Sequence, residues 1–252
     1  MNYNFVTLAL LFFALILYVI NYRFVKQYIS KLSELFGYFA ILATVNLIIY
    51  VVFVQGNFTL IKLLDVIVGV VKLFVMASVG IFYLAKMDLI SMSVSITDSF
   101  NKEKLKESIK SGFGVSILLI LITVILLFLS SSRVITLDKI NSFNLFYFAL
   151  NSLLQSVAEE TVVRLFLQSV LTYLFRKISY GYLLAIVLAT IVWTLDHNDL
   201  NVFGTIRILQ LFSFGIILGL LMRNKGWESC VVAHGIFNTV AYALLGSFNP
   251  IT

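Results

Sequence analysis

The sequence predicts an all-α protein, a polytopic bundle of about eight membrane-spanning helices, and three observations predict it. Of 252 residues 61% are hydrophobic and only 12% charged, where soluble domains run about 45–50% apolar and about 25% charged. Apolar windows of roughly 20 residues, long enough to cross a hydrocarbon core of about 30 Å, recur along the chain. Most basic residues fall between those windows. With a mean hydropathy of +1.03 over 28.4 kDa, one water-exposed domain could not hide its apolar side chains, so lipid is the expected solvent. Alternation of strand period is absent, which excludes a barrel.

The windows lie near 3–21, 35–54, 63–85, 113–130, 144–175, 180–197, 203–222 and 227–246. No Lys or Arg precedes the first and no small-residue cleavage site follows it, so it reads as an anchor rather than a cleaved signal. The single proline, Pro250, leaves the helices unbroken by that residue. The single cysteine, Cys230, excludes an internal disulfide or a four-Cys metal site and reads as a small buried hydrophobe.

Charge orders the windows across the bilayer. Arg23, Lys26 and Lys31 follow the first; Lys86, Lys102, Lys104, Lys106 and Lys110 follow the third; Arg176 and Lys177 follow the fifth; Arg223 and Lys225 follow the seventh. Only Arg133 and Lys139 lie in loops on the other side. The positive-inside rule then puts the first set in the cytoplasm and both termini outside; the expected location is a prokaryotic plasma membrane, crossed several times. This pattern also accounts for the net charge of +6 without nucleic acid as a partner. From Ser91 to Gly112, apolar residues every four or five positions among Lys and Glu suit either a helix on the cytoplasmic membrane surface or a solvated connector.

A charge at the centre of a membrane helix costs about 2.5–3.5 kcal/mol on insertion scales, yet the fifth window carries Glu159, Glu160 and Arg164. The two histidines, His197 and His234, also lie in or beside apolar segments, and Asn238 follows His234 by one turn. Glu160 and Arg164 are four apart on one face and can pair. Glu159 points about 100° away and is the better candidate for a carboxylate facing a wet cavity. Residues from three helices can converge only inside a bundle.

A carboxylate beside an imidazole can take a proton from water, and a second imidazole with an amide N–H can stabilise an oxyanion. With no positioned Ser or Cys nucleophile, the set fits water-mediated hydrolysis better than an acyl-enzyme route. Each element also has a plainer use. The Glu–Arg pair can serve structure or transport, a membrane histidine can be an interhelical hydrogen bond, and Trp193 and Trp227 read as interfacial or packing aromatics.

Together these segments resemble the CPBP family of intramembrane proteases, which contains the CAAX prenyl endopeptidases and the bacteriocin-processing or self-immunity proteins also called Abi. The family pattern is EExxxR, then FxxxH, then HxxxN. Glu159, Glu160 and Arg164 match the first, His197 the histidine of the second, and His234 with Asn238 the third. Trp193 stands where the family has Phe, and Leu165 where Gly often follows the arginine. The resemblance implies a catalytic core over 136–252 behind N-terminal membrane helices at 1–135.

It further implies that Glu159 activates water with His197, that His234 and Asn238 hold the oxyanion, and that Glu160 and Arg164 orient the site. The substrate is then a peptide or a membrane-tethered protein within or beside the lipid bilayer. A metal-free glutamate mechanism is preferred, with zinc as the alternative, since the family has also been described as metalloproteases. A proton-coupled transporter and a non-catalytic immunity or sensor protein are the rival classes. Oligomeric state is open. One tension stands: His197 lies some 25 Å from the start of its window and His234 only about 10 Å from the start of its own, though the two must meet.

Overall fold

A computed structural model describes residues 5–26, 60–89, 102–129, 142–197 and 200–245, with scattered helical positions between 37 and 48. Among these residues every regular element is helical. The chain runs through α1 (Phe5–Ile20), α2 (Leu60–Lys86), α3 (Lys102–Leu129), α4 (Ser142–Glu160), a π-helical stretch (Thr161–Gln168), α5 (Ser169–Leu174), α6 (Gly181–Leu195), α7 (Leu200–Lys225) and α8 (Trp227–Leu245). By length and composition, α2, α3 and α7 hold spans long and apolar enough to cross a membrane, while α1 and α6 hold shorter apolar runs. The second predicted window, 35–54, lies mostly outside the described residues.

Side chains are distributed as lipid demands. Phe12, Val19 and Phe128 point outward, while the interior mixes Met76, Ile81, Leu119, Phe166 and Leu218 with small residues such as Ala77, Ser78, Ala189 and Ala233. Lipid tails are as apolar as leucine, so helices associate in membranes by close backbone approach and not by hiding grease. Gly215 and Gly219, one turn apart on α7, show the device: a Cβ at Gly215 would come 2.8 Å from Thr190 Oγ1, and one at Gly219 2.6 Å from Ile186 Cγ2, both on α6.

α8 packs against α3 and α4, α6 against α7, and α2 against α1, the π stretch and α5. The basic ends gather together. Lys86 lies over Phe24, Phe82 and Tyr173, Arg176 also stacks on Tyr173, and Arg223 stacks on Tyr182 at the start of α6. Lys225 pairs with Glu107, and the Ser108 hydroxyl donates to the Lys225 carbonyl. The four groups of basic residues separated in sequence thus meet at one end of the bundle.

One expectation changes and two are narrowed. Residues 102–112 are not a separate surface helix; they are the first turns of the unbroken α3. They pack on the α7–α8 junction, where a Cβ at Gly112 would meet the Ser229 carbonyl at 2.7 Å; Ser91–Asn101 lies outside the described residues. Of the two readings of Trp193 and Trp227, interfacial or packing, burial of both favours packing. The two histidines do meet, through Trp193 on the last turn of α6, whose ring centroid lies 4.9 Å from that of His197 and 5.8 Å from that of His234. The first turn of α8, Trp227 to Cys230, is buried against its neighbours, with Cys230 Sγ against the Leu218 carbonyl.

Candidate active site

The site forms where α4 passes into the π stretch. A π register carries an extra residue per turn and is common at functional positions. Here the Ser169 hydroxyl reaches the Arg164 carbonyl five residues back, and α2 presses on the widened turn through Gly80, whose missing Cβ leaves room for the Leu165 carbonyl. Leu165 itself is fully buried, so the small residue that permits close packing here is on α2 and not after the arginine.

Glu160, at the last position of α4, is 1% exposed, and Arg164 is fully buried. Arg164 Nε lies 3.3 Å from Glu160 Oε2. The other carboxylate oxygen, Oε1, accepts a 2.8 Å hydrogen bond from His234 Nδ1 on α8. An ionised carboxylate only accepts, so this bond places the imidazole proton on Nδ1. Nε2 is then left facing Glu159, 3.9 Å from its Oε2. Glu160 is therefore a bridge between Arg164 and His234, a bond that spacing along α4 could not reveal.

Glu159 points elsewhere, as its offset around the helix requires. Its side chain is 22% exposed, and both oxygens are held: Gln155 Nε2 donates to Oε1 at 2.8 Å, and Trp193 Nε1 donates to Oε2 at 2.9 Å. His197, just past the end of α6, bonds through Nδ1 to the Trp193 carbonyl at 2.8 Å. A carbonyl cannot donate, so Nε2 is the unprotonated nitrogen of neutral His197. The Trp193 ring meets those of His197 and His234 edge-on at 4.9 and 5.8 Å between centroids, with the Arg164 guanidinium 5.7 Å over its face.

Glu159, Arg164, His197 and His234 thus surround one indole, and Glu160 ties Arg164 to His234. Asn238 is half-buried on the face of His234 one turn on, but among the described residues it makes no hydrogen bond to this set. Sequence reasoning passed over Gln155 and gave Trp193 no hydrogen-bonding role. The signal for Gln155 was its place one turn before Glu159; for Trp193 it was the very position where an aromatic without a donor was expected. The arrangement can hold a carboxylate and an imidazole nitrogen around one small polar molecule. It fits zinc poorly, because His234 Nδ1 and Glu160 are spent on each other and on Arg164, and no group of three His, Cys, Asp or Glu side chains among the described residues is placed to hold a metal.

Residues 141–240 match the family model described as Rce1-like, type II CAAX prenyl endopeptidase. The match runs from the start of α4 into α8 and contains every residue of the cluster. No curated protein and no solved structure matches the chain.

Proposed function

We propose, from a segment 141–240 that is a Rce1-like domain of the CPBP family, that this chain is an intramembrane endopeptidase that hydrolyses a peptide or a membrane-tethered protein. The observation that carries the reading is the gap between His234 Nε2 and Glu159 Oε2. At 3.9 Å it is too long for a direct hydrogen bond, but one water can sit about 2.8 Å from both atoms. Glu159 takes a proton from that water as it attacks the scissile carbonyl, and His197 Nε2 shares the base work. His234 as an imidazolium, with Nδ1–H held by Glu160 and Nε2–H turned toward the site, and the Asn238 amide receive the developing oxyanion. Nothing in this sequence of steps calls for a metal.

The basic end of the bundle is the cytoplasmic end on the positive-inside rule, with both termini outside a plasma membrane. Glu159 is then about 25 Å along α4 from Ser142, and His197 about 24 Å along α6 from Gly181, which supports chemistry within the bilayer rather than at its surface. The test uses purified protein in nanodiscs and a quenched-fluorescent peptide ending in a prenylated cysteine motif, the class the family's name suggests. Glu159→Ala, His197→Ala and His234→Ala should each abolish cleavage. If all three variants cleave a substrate as well as the unaltered protein does, the assignment fails. Substrate-dependent proton flux in liposomes without proteolysis would favour a transporter instead.

A further inference from the structure

Glu159 is the group on which the proposed hydrolysis turns, and a carboxylate at the end of a flexible side chain is useful as a base only if its oxygens are aimed. We infer that Trp193 and Gln155 are positioning residues that clamp the Glu159 carboxylate, with Trp193 as the principal jaw; the inference rests on the peptidase reading above. Both carboxylate oxygens accept a hydrogen bond, Oε1 from Gln155 Nε2 at 2.8 Å and Oε2 from Trp193 Nε1 at 2.9 Å. A carboxylate has about four lone-pair sites, so two donors fix its plane and still leave lone pairs for the water.

The two jaws differ in rigidity. Gln155 shares α4 with Glu159 and is exposed, so its amide can swing away. Trp193 is 4% exposed and comes from α6. Its ring is caged by Arg164 over one face and by His197 and His234 at ring distances of 4.9 and 5.8 Å, so its one N–H has a single direction. The same indole that aims Glu159 therefore also packs on both imidazoles, and its main-chain carbonyl holds His197 Nδ1. Through one residue, base and imidazoles are kept in register. A phenylalanine could fill the slot but could not donate.

The experiment uses the full chain in nanodiscs with 15N-labelled indoles. The chain has two tryptophans, so the Trp193 resonance is the one absent from Trp193→Phe. It should move upfield in Glu159→Ala, and the Trp227 resonance should not. Loss of a hydrogen bond to a charged group predicts that Trp193→Phe lowers kcat roughly 10- to 100-fold with KM within about twofold. Gln155→Leu, on an exposed position that tolerates the change, should lower kcat by a smaller factor, again with KM unchanged. A Trp193 resonance indifferent to Glu159→Ala overturns the clamp, whatever the activity. A resonance that moves while Trp193→Phe keeps its full kcat overturns the positioning role. A resonance that moves in a protein that cleaves no peptide refutes the peptidase reading, and the catalytic role of the clamp falls with it.

Discussion

Glu160→Gln tests the centre of the site without changing its size. The side chain it replaces is almost wholly buried between a guanidinium and an imidazole. With Arg164 Nε 3.3 Å from Glu160 Oε2, Coulomb attraction at an effective dielectric constant of 20 is about 5 kcal/mol, partly offset by the desolvation of both ions. Breaking a buried pair from one side costs about 3–5 kcal/mol, because the remaining charge is stranded. A neutral amide would leave the fully buried Arg164 in that state. Taking about 4 kcal/mol and the scaling of chains of this size, the thermal midpoint should fall by roughly 8–16 °C. The assay is thermal unfolding of purified protein in one detergent, with Glu159→Gln alongside. Glu159 is partly exposed and touches no guanidinium, so its amide variant should lose far less stability. Equal midpoints for the two variants would refute the claim that Glu160 is the structural carboxylate and Glu159 the chemical one. Replacing Glu160 and Arg164 together by Leu should recover part of the loss, since no charge is then left behind.

Other outcomes follow from the same geometry. Gly80→Leu should destabilise the fold by about 1–3 kcal/mol and reduce peptidase activity, because a Cβ there overlaps the Leu165 carbonyl and α2 must leave the π stretch; thermal unfolding and peptide cleavage read the two effects. Lys225→Ala, by contrast, should change stability by no more than about 1 kcal/mol, since its pair with Glu107 is exposed on both sides. Incubation with a chelator should leave cleavage unchanged; activity lost on chelation and restored by zinc would replace the metal-free mechanism with a zinc one. Cys230, fully buried, should resist thiol reagents in the folded protein and react on unfolding.

Much of the architecture is written in composition and charge. Spans of about 20 apolar residues and basic loops between them are properties of the chain against a bilayer, so α2, α6, α7 and α8 fall within a few residues of their windows. The basic residues collect at one end for the same reason. The members of the cluster also stand out in the sequence, because lipid makes every charge conspicuous: Glu159, Glu160, Arg164 and His234 are such residues, and helical spacing separates the paired carboxylate from the partly exposed one.

Spacing along one helix, however, says nothing about what comes from another. The packing of α8 on α4 is what brings His234 Nδ1 to Glu160. The extra residue per turn after Glu160 is accommodated by Gly80 on a helix some 80 positions earlier. Trp193 passes for a packing aromatic until α6 lies beside the π stretch and its N–H meets Glu159. By itself the sequence determined which residues are too polar to face lipid, since that depends on each side chain and its solvent; only the tertiary structure decided which polar atom satisfies which, since those hydrogen bonds join helices far apart in the chain.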